Sequence, residues 1–279
     1  MTSPIYPCLW FDGKAEEAAE FYCSVFKNSI LQDKNDLVVM FELAGQQFMA
    51  LNGGPEFVPN PSVSFYFVGE SLEEINEAWE KLQDGGKVLM DIDTYDWSER
   101  YGWIQDKYGF SWQLTLGTWT DSSRSVFPVL MFTGEQAGKA EEAMIFYTNV
   151  FQDSSILSTH RYTAVDQDVE GTVKFGQFRI GETTFAAMDS SYPHGFEFNE
   201  AISFVVECDN QVEIDYFWDM LTDGGEESMC GWLKDRFGVS WQVTPGIFRE
   251  LMKDHERFQR VIKAFMPMRK MDLETILKA

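Results

Sequence analysis

The chain has 279 residues, with 45 Asp and Glu against 22 Lys and Arg, a formal net charge of −23 and a pI near 4.4. Such a surplus disfavours nucleic acid and anionic membranes as partners, since both need clustered Lys and Arg to neutralise phosphate. A hydrophobic content of 44% with 24 Phe, 9 Trp and 10 Tyr excludes a mainly disordered chain, and four cysteines without a Cys-x-x-Cys pair suit neither a zinc site nor a disulfide framework.

Residues 5–11, apolar and aromatic, read as a strand closed by Asp12-Gly13. A helix follows from Lys14 to Phe26: Ala15, Ala18, Ala19, Tyr22, Val25 and Phe26 recur at three- and four-residue spacing, with Glu16 and Glu17 where the helix dipole favours anions. Residues 37–43 and 47–51 form a hairpin turned by Gly45, and the second strand stops at Asn52-Gly53-Gly54. Another strand covers 62–68. Ser71 and Glu74 make a capping box for a helix that buries Ile75, Ala78, Trp79 and Leu82 and stops at Gly85-Gly86. A short strand near Val88, one around 101–105 and one over 111–116 finish the half. Between them, residues 90–100, with Asp91, Asp93, Asp96 and Glu99, read as a solvated acidic loop.

The stretch from Gly102 to Gly117 then recurs as Gly231 to Gly246, with Gly-Trp, Asp, Gly, Ser-Trp-Gln, Thr and Gly at the same internal spacing. Lys139-Ala-Glu-Glu-Ala143 repeats Lys14-Ala-Glu-Glu-Ala18, Phe146-Tyr147 repeats Phe21-Tyr22, and Asn210 with Glu213 is a second capping box before Gly224-Gly225. The plan is a first domain over 1–117, a polar linker over 118–126, a second domain over 127–246 and an unrepeated helical tail over 247–279. The tail's apolar face, from Phe248 and Leu251 to Ile262 and Phe265, needs covering, either across the two halves or by a partner chain. The N-terminus has no basic region before an apolar core and no apolar run is long enough to span a bilayer, so the expected address is cytoplasmic.

Trp10-Phe-Asp-Gly13, Ala15-Glu-Glu-Ala18, Phe21-Tyr22, Leu51-Asn-Gly-Gly54, Ile202-Ser203-Phe204, Gly231-Trp-Leu and Gly238-Val-Ser-Trp-Gln242 together resemble the PhnB-like family, often labelled 3-demethylubiquinone-9 3-methyltransferase. It lies in the vicinal oxygen chelate superfamily of glyoxalase and bleomycin-resistance proteins. The resemblance implies an α+β fold of two tandem glyoxalase-like domains, each of two βαβββ modules whose strands curve into an open cup. It also implies that a divalent metal is commonly bound by His, Glu or Gln from the first, fifth and eighth strands.

By that resemblance the eighth-strand positions are Gln113 and Gln242 and the fifth-strand positions are Ser64 and Ser203. The first-strand positions fall at Pro7 or Cys8 and at Pro128 or Val129. Strand alternation puts Trp112 and Leu114 against the helices and Ser111, Gln113 and Thr115 towards the cup. Amide and hydroxyl oxygens are poor transition-metal ligands, so the expectation is no metal and no cofactor. Candidate ligand-binding residues are Gln113, Gln242, Ser64, Ser203, Trp103 and Trp232 (as aromatic walls, or as core), Asn52 (before a Gly-Gly that admits a ligand, or merely turns) and His194, on the loop before a fifth strand. No Gly-x-Gly-x-x-Gly or Gly-x-Ser-x-Gly supports the methyltransferase label. Three functions compete: metal-free binding of a small molecule in the cup, a metal-dependent or acid–base lyase, isomerase or dioxygenase acting on a small oxygenated substrate, and a non-catalytic interaction protein. The chain is either a pseudo-symmetric monomer or a homodimer.

Overall fold

The structure is a computed structural model and describes residues 4–117, 125–251 and 253–279. Its α+β architecture is one βαβββ module repeated four times. The first module is β1 (Ile5–Phe11), α1 (Ala15–Val25), β2 (Ile30–Lys34), β3 (Val38–Leu43) and β4 (Gln46–Asn52), and the second is β5 (Val63–Gly69), α2 (Leu72–Gln83), β6 (Lys87–Tyr95), β7 (Ser98–Gln105) and β8 (Ser111–Leu116). The third is β9 (Val126–Phe132), α3 (Ala140–Val150), β10 (Ser155–Arg161), β11 (Val173–Ile180) and β12 (Thr183–Asp189). The fourth is β13 (Ile202–Cys208), α4 (Gln211–Thr222), β14 (Glu226–Glu227), β15 (Trp232–Lys234) and β16 (Ser240–Pro245), and the tail adds α5 (Phe248–Leu251), α6 (His255–Phe265) and α7 (Leu273–Lys278). Among the described residues no helix is long and apolar enough to cross a membrane.

The helices start where the sequence provides acceptors. Ser71 Oγ accepts the Glu74 amide at 3.2 Å and Asn210 Oδ1 accepts that of Glu213 at 3.1 Å, so both N-caps form, and the two glutamates accept from the amides of Glu70 and Asp209, one residue before each cap. The N-caps of α1 and α3 are Lys14 and Lys139, which make no such bond. Their first turns are served from a distant strand end: Asn52 Oδ1 accepts from Ala15 N at 2.9 Å and Asp189 Oδ1 from Ala140 N at 3.0 Å. The last residue of β4 or β12 thereby fixes the start of the helix beside it.

Two eight-stranded sheets result, in the orders β14-β15-β16-β13-β1-β4-β3-β2 and β10-β11-β12-β9-β5-β8-β7-β6. Each sheet takes one module from each half. The seams are antiparallel: β1 on β13 with Cys8 opposite Ser203, and β5 on β9 with Ser64 opposite Val129. Within a half, the two modules meet through their helix-facing sides, where Tyr22 of α1 packs on Trp112 of β8 and Tyr147 of α3 on Trp241 of β16. The helix-facing sides of both halves form one continuous buried cluster, while the two cups are completed between halves.

Alternation along the strands separates these faces. In β1 and β13, Leu9, Phe11, Phe204 and Val206 join the helix-side core, whereas Tyr6, Cys8 and Val205 cluster on the cup side. The repeated motif supplies a polar anchor to each half. Asp106 accepts from Tyr22 Oη and Trp112 Nε1, both at 2.8 Å, and from the amides of Tyr108 and Phe110. Asp235 does the same for Tyr147 Oη at 2.7 Å, Trp241 Nε1 at 2.8 Å, and the Phe237 and Val239 amides.

Burial pushes the Asp106 and Asp235 carboxyls up to about 6, and their four donors oppose that rise. Because the folded values lie above the ordinary 3.8, the linked stabilisation is complete below that value and is lost as pH rises through about 6. The expected result is that the unfolding free energy of wild type relative to Asp106→Asn increases as pH is lowered across this window, followed by urea unfolding. Carbon-13 resonances of both carboxyls should move near pH 6 rather than near 4.

Some expectations change. Residues 90–100 are a hairpin arm rather than a loop, with β6 running to Tyr95, β7 starting at Ser98 and Tyr95 stacked on Trp97 at 4.9 Å, while Asp91, Asp93, Asp96 and Glu99 are solvent-exposed as expected. The linker expected over 118–126 lies outside the described residues apart from Ser125 and Val126, and Val126 already belongs to β9. The tail covers the cup face of the sheet formed by modules one and four.

Candidate functional site

The two cups carry matching frameworks and different contents. In the cup between modules two and three, Gln113 Nε2 donates to Ser64 Oγ at 2.8 Å and Tyr101 Oη donates to Gln113 Oε1 at 2.7 Å, so both ends of the amide are used internally. Tyr66 stacks on Phe127 at 5.2 Å and lies 5.5 Å from Phe175, and Val129 and Ala186 are buried beside them. Tyr95 and Trp97 of the long hairpin then meet Tyr101 edge-on at 5.7 and 5.6 Å. Among the described residues, Tyr66, Phe127, Phe175 and Tyr101 pack against one another on this cup's face. Trp103 stays with that sheet, donating Nε1 to Ser111 Oγ at 2.6 Å.

The cup between modules one and four holds a cavity of about 590 Å³. Its floor is Tyr6, Val38, Met40, Met49 and Leu51 with Val205, and its roof is the tail, through Phe248, Phe258, Ile262, Phe265 and Met271. Where the other cup has Tyr101 the repeat places Cys230 here, so no phenol reaches Gln242, which lines the cavity. Gln242 Nε2 donates to Ser203 Oγ at 2.9 Å. The short β14–β15 hairpin leaves the cup uncovered on that side, and the tail replaces the missing arm: the amides of Cys230 and Gly231 donate to the Met268 and Arg269 carbonyls at 2.7 and 2.8 Å.

One charged group anchors the roof to the floor. Glu207 Oε1 accepts from Tyr6 Oη at 2.5 Å and from Arg249 Nε at 2.7 Å, with the guanidinium over the Tyr6 ring at 5.2 Å. Burial first, and the neighbouring carboxylate second, raise the Tyr6 phenol well above its ordinary value, so it remains a donor. Glu207 is thus an acceptor shared by the floor and the roof.

The positions implied as metal-binding regroup across the halves: Cys8 meets Ser203 and Gln242, while Val129 meets Ser64 and Gln113. A divalent metal does not fit either set. Burial pushes the Cys8 thiol up to about 12, against its hydrogen bonds with Gln242 and Ser203, and leaves a protonated sulfur beside a hydroxyl and an amide. The other set offers a valine in place of the first ligand. Among the described residues no three His, Cys, Asp or Glu side chains converge as a metal-binding group.

Of the remaining sequence candidates, Asn52 lines the cavity while capping α1, and Trp232 lines it edge-on to Trp10 at 5.8 Å. His194 is an exposed loop residue, 2.7 Å from Ser190 Oγ and stacked on Phe196, and it does not line the cavity. The glycines after Asn52 serve a side chain: a Cβ on Gly53 would lie 2.2 Å from the Trp10 indole, whose Nε1 donates to Gly54 O at 2.7 Å. Gly53→Ala should displace Trp10 and weaken ligand binding at least fivefold with the fold retained, as read by calorimetry and circular dichroism. Sequence reasoning missed Tyr6, Trp10, Phe57, Glu207 and Arg249. The period-two spacing of Tyr6, Cys8 and Trp10 was the available signal for the strand residues.

The model of the family described as 3-demethylubiquinone-9 3-methyltransferase matches residues 3–115 and 124–244. Among solved structures, a putative 3-demethylubiquinone-9 3-methyltransferase, PhnB protein, from Bacillus cereus is 37% identical over 42% of this chain and 98% of its own, with a TM-score of 0.38. Glyoxalase I from Zea mays is 11% identical over 91% of this chain and 97% of its own, with a TM-score of 0.57, a likeness of fold. None of the curated proteins matches the chain.

Proposed function

We propose that this chain, which belongs to the 3-demethylubiquinone-9 3-methyltransferase (PhnB-like) family of the vicinal oxygen chelate superfamily, binds one small, largely apolar molecule without a metal. The site is the cup between its first and last modules. The observation that carries this reading is the cavity of about 590 Å³ between an apolar floor and the tail, in a cup whose counterpart places Tyr66, Phe127 and Phe175 in ring contact on the equivalent face. That volume suits a small organic ligand, and the wall is mostly apolar and aromatic, with charged side chains along part of it. Gln242 supplies a hydrogen-bonding group on the wall, and the five methionines Met40, Met49, Met229, Met266 and Met271 supply adaptable contacts.

The chain works as a pseudo-symmetric monomer, because the sheet seams that a dimer of single-domain subunits would make are made within it. Four free cysteines accord with a cytoplasmic setting. A thermal-shift screen of EDTA-treated protein against small aromatic and amphipathic compounds tests the reading. A ligand present at about 100 times its Kd adds about 2.7 kcal/mol of stability. Finding no stabilising compound, or stabilisation only after a divalent metal is restored, would overturn it.

A further inference from the structure

We infer that the ligand of this cup is an organic cation: an ammonium head held at the mouth among three aromatic rings, followed by an apolar body that runs under the tail. The inference rests on the binding reading above and names the chemical class. Trp10, Phe57 and Trp232 are each half-buried and each line the cavity. Phe57 stands 5.0 Å from Trp10 at 75°, and Trp232 stands 5.8 Å from Trp10 at 80°, so the three rings form edge-to-face walls. The Trp10 indole is fixed by its bond to Gly54 O and by the room that Gly53 leaves, which makes the walls rigid before a ligand arrives.

Aromatic faces carry negative quadrupoles, and a site walled by several of them is suited to a quaternary or alkylated ammonium. The charges point the same way. The cavity is lined by four glutamates, Glu200, Glu207, Glu226 and Glu227, against two basic side chains, Lys234 and Arg249. Arg249 is committed to Glu207 at the far end. Lys234 pairs with Glu200 at 2.9 Å and stands opposite Glu226 in the β14–β15 register. Glu227 pairs with Arg269, and the exposed Glu226 has no ion-pair partner among the described residues, so one carboxylate beside the strand that carries Trp232 is left without a bonded cation. A carboxylate or phosphate ligand would meet this surplus and the overall charge of −23 as repulsion.

The test uses the full-length protein and three probes of matched shape: 4-phenylbutyl-trimethylammonium, its carbon isostere with a tert-butyl head, and 5-phenylpentanoate, each titrated by calorimetry at low salt. The cation should bind at least tenfold more tightly than either of the others. Glu226→Gln should cut that preference at least threefold, and Trp232→Leu should weaken the cation more than the isostere, with circular dichroism unchanged in both. Equal affinity for the cation and the isostere, or tighter binding of the carboxylate, would overturn the cation inference and leave the cup reading intact. Binding of none of the three would overturn the cup reading with it.

Discussion

Asp235→Ala lowers the unfolding free energy by about 4 kcal/mol at pH 7. The carboxylate is buried and serves four donors, the Tyr147 hydroxyl, the Trp241 indole and the amides of Phe237 and Val239. Alanine leaves all four without an acceptor in the centre of the second half's core. An orphaned buried donor costs about 1–3 kcal/mol, and partial rehydration of the small cavity recovers some of the total. Asp235→Asn keeps one acceptor oxygen but turns an NH2 group towards the donors, so it should lose roughly half as much. Urea denaturation with tryptophan fluorescence measures both variants. A loss below about 1 kcal/mol for the alanine variant would mean that the repeated aspartate is not the anchor of the motif.

Removing residues 247–279 weakens ligand binding at least tenfold and makes the chain self-associate. Leu251, Phe258, Val261, Met271 and Ile276 are buried in the intact chain, and each represents about 1.5–3 kcal/mol of transfer free energy as an upper estimate. Their departure exposes Val38, Met40 and Val205 of the sheet formed by modules one and four and takes away the roof of the cavity. It also leaves Glu207 with Tyr6 but without Arg249. Calorimetry with a ligand identified on the intact chain, alongside light scattering, reads the two effects. Full affinity in the truncated, monomeric chain would show that the tail is no part of the site.

The local architecture was legible because it is written in short-range chemistry. Ser71 with Glu74 and Asn210 with Glu213 fix helix starts, and the alternation Ser111, Gln113, Thr115 against Trp112, Leu114 fixes which side of β8 faces a cup. The edge strands β2 and β10 escaped because their residues are mostly exposed and carry no apolar period. Partnership between modules was not legible for a different reason. In a repeat, β1 can pair with β5 or with β13 using the same pattern, and packing alone selects Cys8 opposite Ser203.

The difference between the cups was equally hidden. Phe65, Tyr66 and Phe67 are consecutive aromatics, and only the fold shows that Tyr66 faces a cup while its neighbours join the helix-side core. In residues 90–100 the exposed Asp91, Asp93 and Glu99 masked a strand pair, whose Tyr95 and Trp97 meet Tyr101 edge-on. The tail's apolar face was evident from spacing, whereas its target required the short β14–β15 hairpin to be seen beside it.

The most direct test of a single metal-free site is a fluorescence titration of N-phenyl-1-naphthylamine, a neutral apolar probe, into protein stripped of metal with EDTA. The account predicts saturable binding with one probe per chain, unchanged when zinc, nickel or manganese is restored. Two probes per chain, or binding that begins only when a metal is added, would contradict it.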